Sequence, residues 1–146
     1  MKLAFGCDQN ALDFKRELAA YAESLGHTVV DYGSDDPIYA NVAVKVAREV
    51  VKGGCERGVL VCGTGMGVAI AANKVKGAYA VNVTNIYQAQ RAQLSNNANV
   101  VTFGAQVMGI ELAKCLLKEY LSHTFDPSSR SGPKVCRITE YEEEEL

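Results

Sequence analysis

The chain has 146 residues, 48% apolar and 22% charged, with a formal net charge of −2. That length suits one globular domain with a substantial core. The slightly acidic balance removes the electrostatic case for nucleic acid or an anionic membrane surface, and no apolar run approaches membrane-spanning length.

Residues 2–7 read as a first strand, ending at Gly6-Cys7-Asp8-Gln9-Asn10. Residues 11–25 follow as a helix, because Leu12, Leu18, Tyr21, Ala22 and Leu25 recur near the 3.6 period. Asn10 is the expected N-cap and Gly26 the stop. Residues 28–31 form a second strand, 33–37 a loop, and 38–52 a second amphipathic helix ended by Gly53-Gly54. A buried strand over 59–61 runs into a glycine-rich turn and a helix over 68–73. A fourth strand at 79–83, a helix at 86–94, a fifth strand at 100–103 and a helix at 109–122 complete the pattern. Residues 126–133 are rich in Ser, Pro and Gly, residues 134–141 form a short element, and Glu142 opens an acidic run that reads as a solvated tail.

Strand and helix alternate with short connections, which calls for parallel strands with helical crossovers. The expected fold is therefore α/β: a three-layer, Rossmann-like arrangement with a five-stranded parallel sheet flanked by helices on both faces. Ligands bind such sheets beyond the carboxyl ends of the strands. Asp8, Cys62, residues 82–85 and Gly104 all fall there. With no export signal at the start and five cysteines at no metal-type spacing, a cytoplasmic protein with reduced thiols is expected.

The centre of the sequence is Cys62-Gly63-Thr64-Gly65-Met66-Gly67. It is not a P-loop, because no Gly-Lys-Ser/Thr follows, and its third glycine comes one place early for the dinucleotide fingerprint. Such a loop is either a tight strand-to-helix turn or an anion hole for a phosphate, carboxylate or enediolate oxygen. Cys62 is either a small buried hydrophobe or a reactive thiol, since the positive end of a helix favours thiolate. Asp8 can cap the first helix or bind substrate hydroxyls. Arg130, Lys134 and Arg137 are solvated charges or a phosphate clamp. Cys7, Cys55, Cys115 and Cys136 read as structural or incidental, and His27 and His123 as surface residues.

These stretches, together with Ile70-Ala71-Ala72-Asn73-Lys74, Asn96-Asn97-Ala98-Asn99-Val100 and Gly104-Ala105-Gln106-Val107-Met108-Gly109, resemble the ribose-5-phosphate isomerase B and galactose-6-phosphate isomerase family. The resemblance covers nearly the whole chain in order. It implies interconversion of aldose and ketose phosphosugars without metal or organic cofactor, in a homodimer or homotetramer with sites shared between subunits. It implies that Cys62 moves a proton through an enediolate stabilised by the amides of Gly63, Gly65, Met66 and Gly67. Asp8, Gln9, Tyr39, Thr64, Ser95, Asn96 and Asn99 are then expected to contact the sugar, and Arg130 and Lys134 the phosphate.

Three positions depart from the family pattern. Gln9 and Ser95 stand where histidines are usual, and Lys134 replaces an arginine, keeping charge but losing the bidentate fork. The histidine absent at Ser95 is the one that opens the sugar ring. A tetrose 4-phosphate cannot close a furanose, because its 4-hydroxyl is esterified, and segments 94–98 and 124–131 resemble the branch acting on erythrulose 4-phosphate. The other explanation is a sister subunit that supplies the histidine, as in the galactose-6-phosphate enzymes. Rival readings from other classes are a non-catalytic sugar-phosphate-binding partner and a flavodoxin-like nucleotide binder.

Overall fold

The computed structural model describes residues 1–33 and 35–144. Ser34 of the expected 33–37 loop and Glu145 of the acidic run lie outside the described residues. Five strands, β1 (Lys2–Cys7), β2 (Thr28–Asp31), β3 (Arg57–Cys62), β4 (Ala80–Asn82) and β5 (Val100–Gly104), form one parallel sheet in the order β2-β1-β3-β5-β4. The helices are α1 (Leu12–Ser24), α2 (Tyr39–Val51), α3 (Met66–Ala72), α4 (Ile86–Leu94), α5 (Ile110–Leu121) and α6 (Gly132–Glu143).

Residue alternation along each strand divides the core in two. Leu3, Phe5, Val59, Val61, Val101 and Phe103 point to the face covered by α1, α4 and α5. Ala4, Leu60, Cys62 and Val100 point to the face covered by α2 and α3. With both faces covered, β3 reads as an unbroken buried run rather than an alternating one. From β1 the chain moves outward to β2 and then returns across to β3. The order therefore reverses between β1 and β3, and this is the crevice where open α/β sheets bind ligands.

Two buried cations fasten the outer elements. Lys15 of α1 is 1% exposed and pairs with Asp31 at the end of β2 at 2.8 Å. Arg57 donates to the carbonyls of Tyr120 (2.8 Å) and His123 (2.6 Å), closing off α5. Burial lowers the pKa of the Arg57 guanidinium and raises that of the Tyr120 phenol beneath it. His27 and His123 are half-buried and structural: His27 meets the N-terminal amine and His123 meets Glu119.

Two expectations are corrected. Asn10 does not cap the first helix. Asp8, in extended conformation at the end of β1, accepts from the Asn10 N–H, and a 3-10 turn over Gln9–Ala11 leads into α1. The acidic run is not simply a solvated tail. Glu142 accepts from the Gly77 N–H (3.1 Å) and the Tyr79 hydroxyl (3.0 Å), and Glu143 pairs with Lys76 at 2.7 Å. These carboxylates dock the end of α6 on the turn before β4. Gly26 ends the first helix as expected, at a φ of 93° that a residue with a side chain rarely adopts.

Replacing Arg57 by Met takes its donor from the buried Tyr120 carbonyl and from the half-buried His123 carbonyl. Urea denaturation should show a loss of about 2–3 kcal/mol; a change below about 0.5 kcal/mol would remove the clamp assigned to this side chain.

Candidate active site

Cys62 is the last residue of β3 and keeps 6% of its surface exposed. Its Sγ accepts the Gly65 N–H at 3.0 Å. Gly65 has a φ of 82°, and a Cβ there would fall 2.7 Å from the Asn82 side-chain amide and 2.9 Å from the Phe103 carbonyl carbon. Only glycine fits this bend. Neighbouring elements hold each carbonyl of the bend. The Cys62 and Gly63 carbonyls accept from the Ala105 and Gln106 N–H groups, both at 2.9 Å. The Thr64 carbonyl accepts from the Asn82 Nδ2 at 2.9 Å and the Gly65 carbonyl from the buried Thr102 Oγ1 at 2.7 Å. A peptide's N–H points opposite to its C=O. Tying the carbonyls this way turns the N–H groups of the same peptides to the other side of the bend, where that of Gly65 meets the Cys62 sulfur.

The Met66 N–H meets the Thr64 hydroxyl oxygen at 3.2 Å. Gly67 lies under the Tyr39 ring, so closely that a Cβ would sit 2.6 Å from the ring's hydroxyl. Tyr39 is the first residue of α2 and is 40% exposed, so its phenol projects at the loop's rim. Asp8 lies at the end of the adjacent β1, with one carboxylate oxygen engaged at Asn10. Gln9 reaches across to the Asp35 carbonyl at 2.9 Å. Asp8 thus caps the 3-10 turn rather than α1 itself, and its second carboxylate oxygen takes no part in that cap.

Ser95, Asn96, Arg130 and Lys134 meet elsewhere. They line a cavity of about 660 Å³ between the end of α4 and the start of α6, together with Arg91. No acidic residue lines it and no residue of the Cys62 loop does. Among the described residues, Arg130 and Lys134 are exposed and carry no ion-pair partner. Arg137, grouped with them from the sequence, is instead paired with Glu140 (2.8 Å) and Glu144 (2.9 Å). One chain thus presents two separate places of interest, a glycine-rich loop bearing a thiol and a basic cavity.

Asn99 does not belong to either. Its Oδ1 accepts from the Tyr79 N–H (2.8 Å) and its Nδ2 donates to the Gly77 carbonyl (2.9 Å). It also precedes β5, at the end of the sheet opposite to Cys62, so the expected sugar contact is replaced by a structural one. Sequence reasoning missed Arg91, Thr102 and the clamping role of Asn82. Thr102, a polar residue in an otherwise apolar strand, was the available signal; Arg91 and Asn82 gave none without the tertiary contacts. Among the described residues, no cluster of His, Cys, Asp and Glu is arranged to hold a metal ion, and no helix is long and apolar enough to cross a membrane.

The family model for ribose/galactose isomerases matches residues 3–138. The D-erythrulose-4-phosphate isomerase 2 of Mycolicibacterium smegmatis is 44% identical over 151 residues, covering 97% of each chain. The D-erythrulose-4-phosphate isomerase of Pectobacterium atrosepticum is 42% identical, over 99% of this chain and 97% of its own. The structure of Clostridium thermocellum ribose-5-phosphate isomerase B superposes with a TM-score of 0.93 at 36% identity, covering 98% of both chains. The strand order, the loop at the sheet's point of reversal and similarity along nearly the full length agree, and the chain belongs to the ribose/galactose isomerase family.

Proposed function

We propose that the chain is a cofactor-independent aldose–ketose isomerase acting on a tetrose 4-phosphate, D-erythrulose 4-phosphate and its aldose, with Cys62 as the group that moves the proton. The observation that carries this reading is the Cys62 sulfur, held 3.0 Å from the Gly65 N–H at the head of a loop whose carbonyls are all tied inward. The relatives named for erythrulose 4-phosphate, at 44% and 42% identity, support the tetrose. Ser95 supports it too, because an open-chain substrate needs no ring-opening histidine.

The Cys62 thiolate takes a proton from C1 of the ketose, and the released electron pair forms the C1–C2 double bond. Negative charge gathers on the C2 oxygen, giving an enediolate. The loop amides between Gly63 and Gly67 that are not bonded to the Cys62 sulfur or the Thr64 hydroxyl stabilise that oxygen, and donors fixed beforehand need no rearrangement as charge develops. The thiol then returns its proton to C2 while the O1 proton passes to O2 and C1 becomes the carbonyl. Thr64, beside the same oxygens, carries that hydroxyl proton. Asp8, Gln9, Tyr39 and Asn96 hold the sugar's remaining oxygens.

Arg130 and Lys134 bind the phosphate. Because they and the loop form separate half-sites in one chain, a second copy supplies them, which makes a homodimer or homotetramer the working form. The single isomerase domain spans the chain, with residues 123–146 as the extension that carries the phosphate-binding groups, and the enzyme works in the cytoplasm.

Cys62→Ala should lower kcat on D-erythrulose 4-phosphate by about 10³-fold or more and stop exchange of the substrate's carbon-bound hydrogen with deuterated water. Activity near wild type would remove sulfur from the chemistry. Thr102→Val should lower kcat about tenfold with KM little changed, because it loosens the Gly65 carbonyl rather than a substrate contact; Thr102→Ser should restore it. In side-by-side assays, tetrose 4-phosphate should exceed ribose 5-, allose 6- and galactose 6-phosphates in kcat/KM, and a preference for ribose 5-phosphate would overturn the tetrose assignment.

A further inference from the structure

The basic cavity holds one cation to which the reading above gives no role. Arg91 lies on α4, four residues before Ser95, and lines the cavity with Arg130 and Lys134. Its Nε donates to the Ser95 Oγ at 2.6 Å. It also borders a smaller cavity of about 150 Å³ beside Asn82 and Asn96. The same turn of backbone is held from the other side, since the Arg91 carbonyl accepts from the Ser95 N–H at 2.9 Å and from the Asn96 Nδ2 at 3.0 Å. Among the described residues no carboxylate pairs with Arg91.

We propose that Arg91 is a third anion-binding residue of this cavity, held in place by Ser95. The inference deepens the proposed function and rests on its phosphate cavity. A guanidinium carries five N–H donors in a planar fork. Engaging Nε at Ser95 uses one of them, fixes the plane of the group and leaves the two terminal nitrogens for a ligand's oxygens. Arg130 and Lys134 are exposed and must be immobilised when an anion arrives, whereas Arg91 is half-buried and already oriented. A fixed fork loses less side-chain freedom on binding than a free one. A phosphate monoester presents three oxygens and close to two negative charges, enough for contacts with all three cations. Ser95 is therefore a positioning residue here. Its hydroxyl oxygen accepts from Arg91 and so fixes the fork.

The test is calorimetric titration of the full-length protein with inorganic phosphate at fixed ionic strength, paired with steady-state kinetics on D-erythrulose 4-phosphate. Arg91→Gln should weaken phosphate binding about tenfold or more and raise KM in parallel, with kcat within about threefold. Ser95→Ala, which keeps the charge and frees the fork, should weaken it about threefold, and Ser95→Thr should restore it. Arg91→Lys should fall between wild type and Arg91→Gln, because it keeps the charge without the Nε donor. The double variant Arg91→Gln/Ser95→Ala should bind no more weakly than Arg91→Gln alone, since Ser95 acts through Arg91. Far-UV circular dichroism checks folding, and Arg91→Lys with Ser95→Ala decide the matter if Arg91→Gln does not fold. Wild-type phosphate affinity in the Arg91 variants, with affinity lost in Arg130→Gln, overturns the role of Arg91 and leaves the cavity's function standing. Wild-type affinity in Arg130→Gln as well would overturn both.

Discussion

The carbonyl oxygens of Cys62, Gly63, Thr64 and Gly65 are each committed to a donor from another part of the chain, and the anion hole proposed for the loop depends on that commitment. A peptide unit has one rotational degree of freedom that matters here: turning its carbonyl inward turns its N–H outward. Thr102 and Asn82 make the inward contacts from β5 and β4, while Ala105 and Gln106 make them from the turn that follows β5. An anion hole must be set before charge arrives, because donors that reorganise during reaction lose most of their advantage. The rigidity of the sheet is thereby passed to a stretch of backbone that would otherwise be a mobile glycine turn. The same requirement explains Gly65 and Gly104, whose missing side chains let the loop and β5 approach; a Cβ on Gly104 would fall 2.6 Å from the Thr64 carbonyl group.

The basic cavity is placed by a different set of constraints. Residues 123–131 leave α5 and cross the end of α4. Arg57 holds the His123 carbonyl, and the Gln93 side chain accepts from the Phe125 N–H at 3.1 Å. At its far end α6 is pinned by Glu142 and Glu143 to the turn before β4. Both ends of α6 are thus fixed, and its first turn, with Lys134, stays against α4, with Arg91. A cavity of three cations without a carboxylate is unfavourable unless an anion completes it. The C-terminal acids thereby have a structural purpose: they hold in place the helix that carries Lys134.

Much of this was legible before any coordinates. The alternation of apolar strands with 3.6-period helices gave the parallel sheet and the element boundaries to within a few residues, since both periods are properties of local backbone geometry. The glycine loop after β3 was legible for the same reason, as only a bend with positive φ and close backbone approach needs that spacing. The reading failed where residue type is ambiguous in isolation. Asn99 sits in a conspicuous asparagine cluster, yet its amide bridges Gly77 and Tyr79. Glu142 belongs to a run of like charges, yet accepts hydrogen bonds at Gly77 and Tyr79, and Asn10 lost the cap to the carboxylate of Asp8.

The amino-acid order alone determined the class of fold, the position of the loop at a strand's carboxyl end and the identity of the sulfur at its head. Those follow from local patterns and from chain connectivity. Tertiary structure alone decided what holds the loop's carbonyls, because their partners come from β4, β5 and the turn after β5, 18 residues further along the chain in the case of Asn82. It also decided that Arg91 joins Arg130 and Lys134 while Arg137 does not. Such groupings depend on which helix faces meet, and a side chain's partners across distant segments leave no mark in its neighbouring letters.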